Sequence, residues 1–152
     1  MRLSTTAMIL SVFFISYIAV ESKKMNIEEL KKMSKPMMNS CQKKTGVKTE
    51  ELEAAEKGTF PTGNKPLMCY FRCLAVMFKL TDKDGNISLH HLLHQIDLLV
   101  LDEIAAGVND MLQYCFENTP KLEDSCEYIY ELVICMHKRN TEMNFFEGSL
   151  LS

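Results

Sequence analysis

The chain lacks the signatures that mark most enzymes and nucleic-acid binders. It has no Gly-x-Ser-x-Gly elbow for a serine hydrolase and no His-Glu-x-x-His for a metalloprotease. Nor does it carry the adjacent Cys-Cys and His-Asp pairs that secreted phospholipases use. Its formal charge is only -3, so it has no basic field to draw it to a phosphate backbone, and nucleic acid is excluded as a partner. Cys-x-x-Cys and Cys2His2 spacings are missing, which argues against zinc as the reason for its cysteines. Repeats and low-complexity tracts are absent, and there is only one long apolar run.

That run, Ala7 to Val20 behind the single basic residue Arg2, falls short of the roughly 18 to 20 residues needed to span a bilayer. It reads as a secretory signal peptide over residues 1–22, processed after Ser22, with Val20 and Ser22 as the small residues at the site. The remaining chain, residues 23–152, is expected to be one domain, long enough for a real core. Arg2 and Glu21 leave together, so the formal charge of the mature chain stays at -3.

What the mature chain does contain is six cysteines: Cys41, Cys69, Cys73, Cys115, Cys126 and Cys135. An even number in a small secreted chain predicts three disulfides. Cys69 and Cys73 lie on Leu67 to Phe78, an apolar stretch that reads as a buried amphipathic helix. Residues four apart on a helix have Cβ atoms about 5 to 6 Å apart, too far for a disulfide. Each of these cysteines must therefore reach a different segment, and the helix becomes the hub of a cross-linked bundle. Cys126 and Cys135, nine residues apart, fall on opposite faces of one helix and are also excluded as a pair. Of the fifteen pairings that six cysteines allow, these two exclusions leave about ten open.

Around the hub the sequence predicts further helices. Ile27, Leu30, Met33, Met37 and Met38 mark one from Met25 to Cys41, with a kink expected at Pro36. Thr49 to Lys57 is a short helix expected to be capped by Thr49 and stopped by Gly58. Phe60 to Pro66 is a loop, and Thr81 to Asn86 a turn. A calcium loop at that turn is disfavoured, because Gly85 comes early and Leu93 stands where a bidentate acid belongs. Asn86-Ile87-Ser88 is a glycosylation sequon. Ser88 to Val100, Asp102 to Phe116 (with Asp102 as cap) and Leu122 to Lys138 complete an all-α domain of about six helices.

The cysteine gaps of twenty-seven, three, forty-one, ten and eight residues resemble those of the six-cysteine insect odorant-binding proteins. Asn39-Ser40-Cys41, Leu67-Met68-Cys69-Tyr70 and Asp84-Gly85 are similar as well, in particular to the LUSH-like subgroup of that family. Asp97 to Asp102 departs from the pattern, which has a proline between helices there. The resemblance implies disulfides Cys41 with Cys73, Cys69 with Cys126 and Cys115 with Cys135, and six helices around a closed apolar cavity. It also implies a secreted, non-enzymatic carrier of small hydrophobic ligands such as odorants or pheromones, with an olfactory receptor or a second copy as protein partner. A signalling or interaction protein of a seminal or salivary secretion, built on the same scaffold, is the alternative.

Aligned by cysteines, the resemblance assigns the ligand site to Phe71, Ala75, Phe78 and Leu80 on and after the hub. Ile87, Leu89 and Leu99 are added from the turn and fourth helix, Val108, Met111 and Leu112 from the fifth, and Ile129, Val133 and Met136 from the sixth. Phe146, in the Phe145-Phe146 tail, belongs either to a disordered end or to a lid folded onto the cavity, as tails in this family can be. Since Phe71, Ala75 and Leu80 are apolar where the alcohol-binding subgroup carries hydroxyls, a long-chain or terpenoid-like ligand is expected rather than a short alcohol. No cofactor and no metal site are assigned. His90 and His94 share a helix face, but no third ligand is evident. With His91 they are candidates for a pH-sensitive switch that loosens the fourth helix.

Overall fold

The computed structural model describes residues 24–143. The expected signal peptide and the tail with Phe145 and Phe146 lie outside the described residues. The described residues form six helices: α1 (Ile27–Thr45), α2 (Thr49–Glu56), α3 (Lys65–Met77), α4 (Leu89–Leu99), α5 (Asp102–Asn118) and α6 (Ser125–Met143). Among them there is no strand, only two isolated bridges, Met25 with Val100 and Thr81 with Ile87. The all-α architecture is the expected one.

Local chemistry sets each helix end. α1 starts at a capping box in which Asn26 accepts from the Glu29 amide at 2.9 Å and Glu29 accepts from the Asn26 amide at 3.2 Å. It ends where Gly46 takes a left-handed φ of 71°. Pro36 lies inside this helix without ending it. Both Pro36 and Lys32, whose carbonyl loses its partner, are exposed, so solvent can satisfy that oxygen.

Three helix starts differ from expectation. Thr49 does not cap α2; Lys48 is the cap residue, its amide donating to Glu51 at 2.9 Å, while the Thr49 hydroxyl accepts from Gln42 at 3.1 Å. Asp102 is inside α5 rather than capping it, because Leu101 has the extended backbone, and the Asp102 carboxylate pairs with Lys24 instead. α6 starts at Ser125, not Leu122, because Asp124 accepts from the amides of Cys126 at 2.8 Å and Glu127 at 3.2 Å. At its other end α6 continues to Met143, past the expected Lys138.

The break between α4 and α5 has no proline or glycine, and a long-range contact supplies it. The Met25 amide donates to Leu99 at 2.8 Å and the Leu101 amide donates to Met25 at 3.2 Å, so the segment before α1 occupies the backbone groups that would continue the helix.

The hub helix α3 packs on α1 and α6, while α5 packs on α4 and α6. Asn64 caps α3 and accepts from the Leu67 amide at 3.2 Å. Three disulfides reinforce this arrangement: Cys41–Cys73 (Cα separation 5.7 Å), Cys69–Cys126 (4.7 Å) and Cys115–Cys135 (5.7 Å). They tie α1 to α3, α3 to α6 and α6 to α5, leaving α2 and α4 held only by noncovalent contacts.

Candidate ligand site

The inner faces of the helices build three apolar clusters that share members. Phe71, Ala75 and Ile129 belong to the first, with Phe78, Leu80, Ile87 and Val133 packed against it. Val108, Met111 and Leu112 form the second with Leu92, and Leu80, Ile87, Leu89 and Met136 pack on it. Cys115, Tyr128 and Leu132 form the third, again touching Ile87 and Met136. Ile87 therefore meets all three clusters, and Leu80 and Met136 each bridge two of them.

Of the residues the resemblance assigns, Leu80, Ile87, Leu89, Val108, Met111, Leu112 and Met136 come together in the second cluster, while Phe71, Ala75, Phe78, Ile129 and Val133 lie in the first. Leu99 is the exception: it belongs to none of the three clusters, and what the structure shows of it is the backbone bond from Met25. Leu92, 4% exposed, takes the inward position on α4, and Ile96 packs on the same cluster. Leu89, Leu92, Leu93 and Ile96 repeat at intervals of three, one and three residues, so the helical stripe alone would have identified them. Tyr128, 8% exposed, is a further buried residue of α6 beside Ile129.

The turn leading into α4 is held by its own acid. Asp82 accepts from the Asp84 amide at 2.9 Å and the Asn86 amide at 2.8 Å. These bonds, that from Asn86 foremost, hold its carboxyl below the usual carboxylate range. The carboxylate organises the turn through these bonds. Gly85 has φ 81°, and a Cβ there would come within 2.6 Å of the Arg72 guanidinium, which fixes the turn close to the hub.

The three histidines separate into two kinds. His90 and His94 are exposed. His91 is half-buried, with Nε2 2.6 Å from the Lys79 carbonyl oxygen. Among the described residues no group of three or more His, Cys, Asp or Glu side chains is placed to hold a metal ion.

A cleft of about 220 Å³ opens beside the junction, lined by Asn86, Ile87, Lys121, Leu122, Glu123, Ser125, Tyr128 and Ile129. Of its lining, Asn86, Lys121, Leu122 and Glu123 are exposed, while Tyr128 and Ile129 are buried and Ile87 half-buried. A smaller pocket of about 40 Å³ between α1, α2 and α3 includes Phe71 and Tyr70. A groove of about 260 Å³ between the ends of α5 and α6 is polar, with Arg139 stacked 4.5 Å from the Tyr114 ring centre.

A sequence model of the PBP/GOBP family matches residues 23–139. General odorant-binding protein 69a of Drosophila melanogaster is 26% identical over 95 residues, which span 62% of this chain and 60% of that protein. Among solved structures, odorant binding protein 5 of Apis mellifera superposes with a TM-score of 0.68 at 25% identity, covering 82% of this chain and 100% of that one. Odorant Binding Protein 7 of Anopheles gambiae, a structure with four disulfide bridges and a bound azo compound, gives 0.62 at 28% identity, over 77% of this chain and 91% of the other.

Proposed function

The chain belongs to the PBP/GOBP family, and on that premise we propose that it is a secreted carrier, not an enzyme, that holds a small hydrophobic ligand where α3, α4, α5 and α6 meet. The observation that carries this reading is the shared membership of Leu80, Ile87 and Met136 in the apolar clusters. Leu80 and Ile87, on either side of one turn, pack there on the same cluster as Met136 of α6, and Ile87 also lines the cleft. Ligand sites of this kind are concave and mostly apolar, with few polar groups.

The disulfides favour the same reading. They tie α1, α3, α5 and α6 together, so the frame stays in place when a ligand enters. α4 has no covalent tie and can adjust. Phe71, Ala75 and Leu80 offer no hydroxyl, which suits a long-chain or terpenoid-like ligand held by shape and burial. Met111 and Met136 add flexible thioethers that adapt to several shapes. The similar mosquito protein was solved in complex with an azo compound.

Native mass spectrometry of freshly purified protein, followed by displacement of the fluorescent probe N-phenyl-1-naphthylamine, tests the reading. A co-purifying apolar molecule, or displacement by long apolar ligands ahead of short alcohols, is expected. Failure of the probe and of every apolar competitor to bind refutes it.

A further inference from the structure

We infer that the Tyr128 hydroxyl is the polar anchor of the ligand site, donating a hydrogen bond to the carbonyl oxygen of a neutral, otherwise apolar ligand. This deepens the carrier reading and rests on it.

Tyr128 is 8% exposed, and its hydroxyl is buried with no hydrogen-bonding partner among the protein's own groups. Tyr130, two residues further along α6, shows the ordinary arrangement: its hydroxyl donates to the Pro61 carbonyl at 3.0 Å. Buried hydroxyls are nearly always satisfied, because leaving one unpaired is costly. The exception here falls where the ligand is expected. The Tyr128 ring stands edge-on to Phe116, with centroids 6.3 Å apart, and its cluster touches Ile87 and Met136. The same side chain lines the cleft with Ile87 and Ile129.

The chemistry of the ligand follows from what surrounds this hydroxyl. A phenol carries its proton at neutral pH and can donate, and burial shifts this one further toward the protonated form. A carbonyl oxygen is the complementary acceptor. The cleft's two charged side chains, Lys121 and Glu123, have opposite signs and are exposed, so the rim favours neither an acid nor an amine. A carboxylate moved into the apolar junction would lose hydration without gaining a buried cation among these lining residues. Arg72, whose Nε lacks a partner and whose guanidinium covers Gly85, is the cation that an acidic ligand would have to recruit.

The test compares wild type with Tyr128→Phe, which removes only the hydroxyl, by displacement of N-phenyl-1-naphthylamine. Limonene, perillaldehyde and perillic acid share one terpene skeleton and serve as hydrocarbon, carbonyl and acid competitors. The expected result is a loss of about three- to tenfold in perillaldehyde affinity in the variant, the size of one net hydrogen bond. Limonene should change less than about twofold, and the thermal midpoint of the ligand-free variant should equal or exceed that of wild type. An unchanged ratio of perillaldehyde to limonene, with both still bound, overturns the anchor but leaves the carrier reading standing. A lower ligand-free midpoint overturns it as well, since the hydroxyl would then have a partner within the protein. Tighter binding of perillic acid than of perillaldehyde overturns the neutral-ligand assignment. If the probe and all three competitors fail on wild type, both the anchor and the carrier reading fall.

Discussion

His91 on α4 reaches back to the end of the hub helix and places its Nε2 2.6 Å from the carbonyl oxygen of Lys79. Lys79 has φ 56°, a left-handed conformation that side-chain-bearing residues seldom adopt. The turn containing it is a Schellman motif: the Leu80 amide donates to Ala75 at 2.8 Å and the Lys79 amide to Val76 at 3.0 Å. Glycine is the usual residue there. The strained lysine and the imidazole bond together set where Leu80, one of the bridging residues, enters the junction.

His91→Ala should therefore destabilise the fold by about 0.5–1.5 kcal/mol, the net worth of one hydrogen bond. His90→Gln and His94→Gln, at exposed positions, should each stay within about 0.5 kcal/mol of wild type. Urea unfolding of the three variants measures this. Equal losses for all three would mean that the bond to Lys79 does not hold α4.

The same trio is expected to make ligand affinity pH-sensitive. A carbonyl can only accept, so Nε2 of His91 donates to Lys79 whether the ring is neutral or charged, and protonation leaves that bond in place. What changes is charge: positive imidazoles on the first turns of a helix that no disulfide restrains oppose the helix dipole. Probe affinity is expected to fall between neutral and mildly acidic pH in wild type and to fall less in the His90, His91, His94→Gln triple variant. Superimposable profiles would remove the histidines from release.

Asp82 gives a second pH dependence, at lower pH. Its folded-state pKa lies below its unfolded value, so its contribution is present above the ordinary carboxylate range and is lost as pH falls through the folded pKa. Asp82→Ala should lower the thermal midpoint at neutral pH, and the gap from wild type should close below about pH 4. A gap that persists unchanged into strong acid would show that the carboxylate does not organise the turn.

How much of this was legible in the sequence depended on the range of the forces involved. Helical stripes such as Ile129, Leu132, Val133 and Met136 are local patterns, and they announced both the helices and their buried faces. The exclusion of Cys69 with Cys73 and of Cys126 with Cys135 needed only helix geometry, but choosing among the remaining pairings needed the family resemblance. The break at Val100 was not legible, because Met25 makes it from across the fold. Thr49 and Asp102 have side chains that suit a cap, but distant partners, Gln42 on α1 and Lys24 ahead of it, take those side chains instead. The unpaired Tyr128 hydroxyl is not legible for a related reason: a missing partner cannot be seen in a sequence.

The disulfides should differ in worth according to the loops they close. Cys69–Cys126 joins residues 57 apart, and Cys115–Cys135 joins residues 20 apart. Loop-closure entropy puts the loss of the first at about 4 kcal/mol and of the second at about 3 kcal/mol. Urea denaturation of the Cys69→Ala/Cys126→Ala and Cys115→Ala/Cys135→Ala variants should show the first as the less stable. The reverse order would mean that packing of α5 on α6, rather than chain entropy, decides how much each bridge contributes.

The end of α6 fixes where a tail experiment must cut. Because the helix runs to Met143, truncation after Asn140 would remove helical residues together with the tail and confound two effects. Truncation after Met143 removes only the segment carrying Phe145 and Phe146. If Phe146 covers the ligand, as tails in this family can, burial of one phenylalanine is worth about 1.5–3 kcal/mol, and its loss should weaken probe binding by roughly tenfold or more. The thermal midpoint without ligand should change much less than the affinity does. Unaltered affinity in the truncated protein would rule out the lid, and the junction of α3, α4, α5 and α6 would then hold its guest without help from the tail.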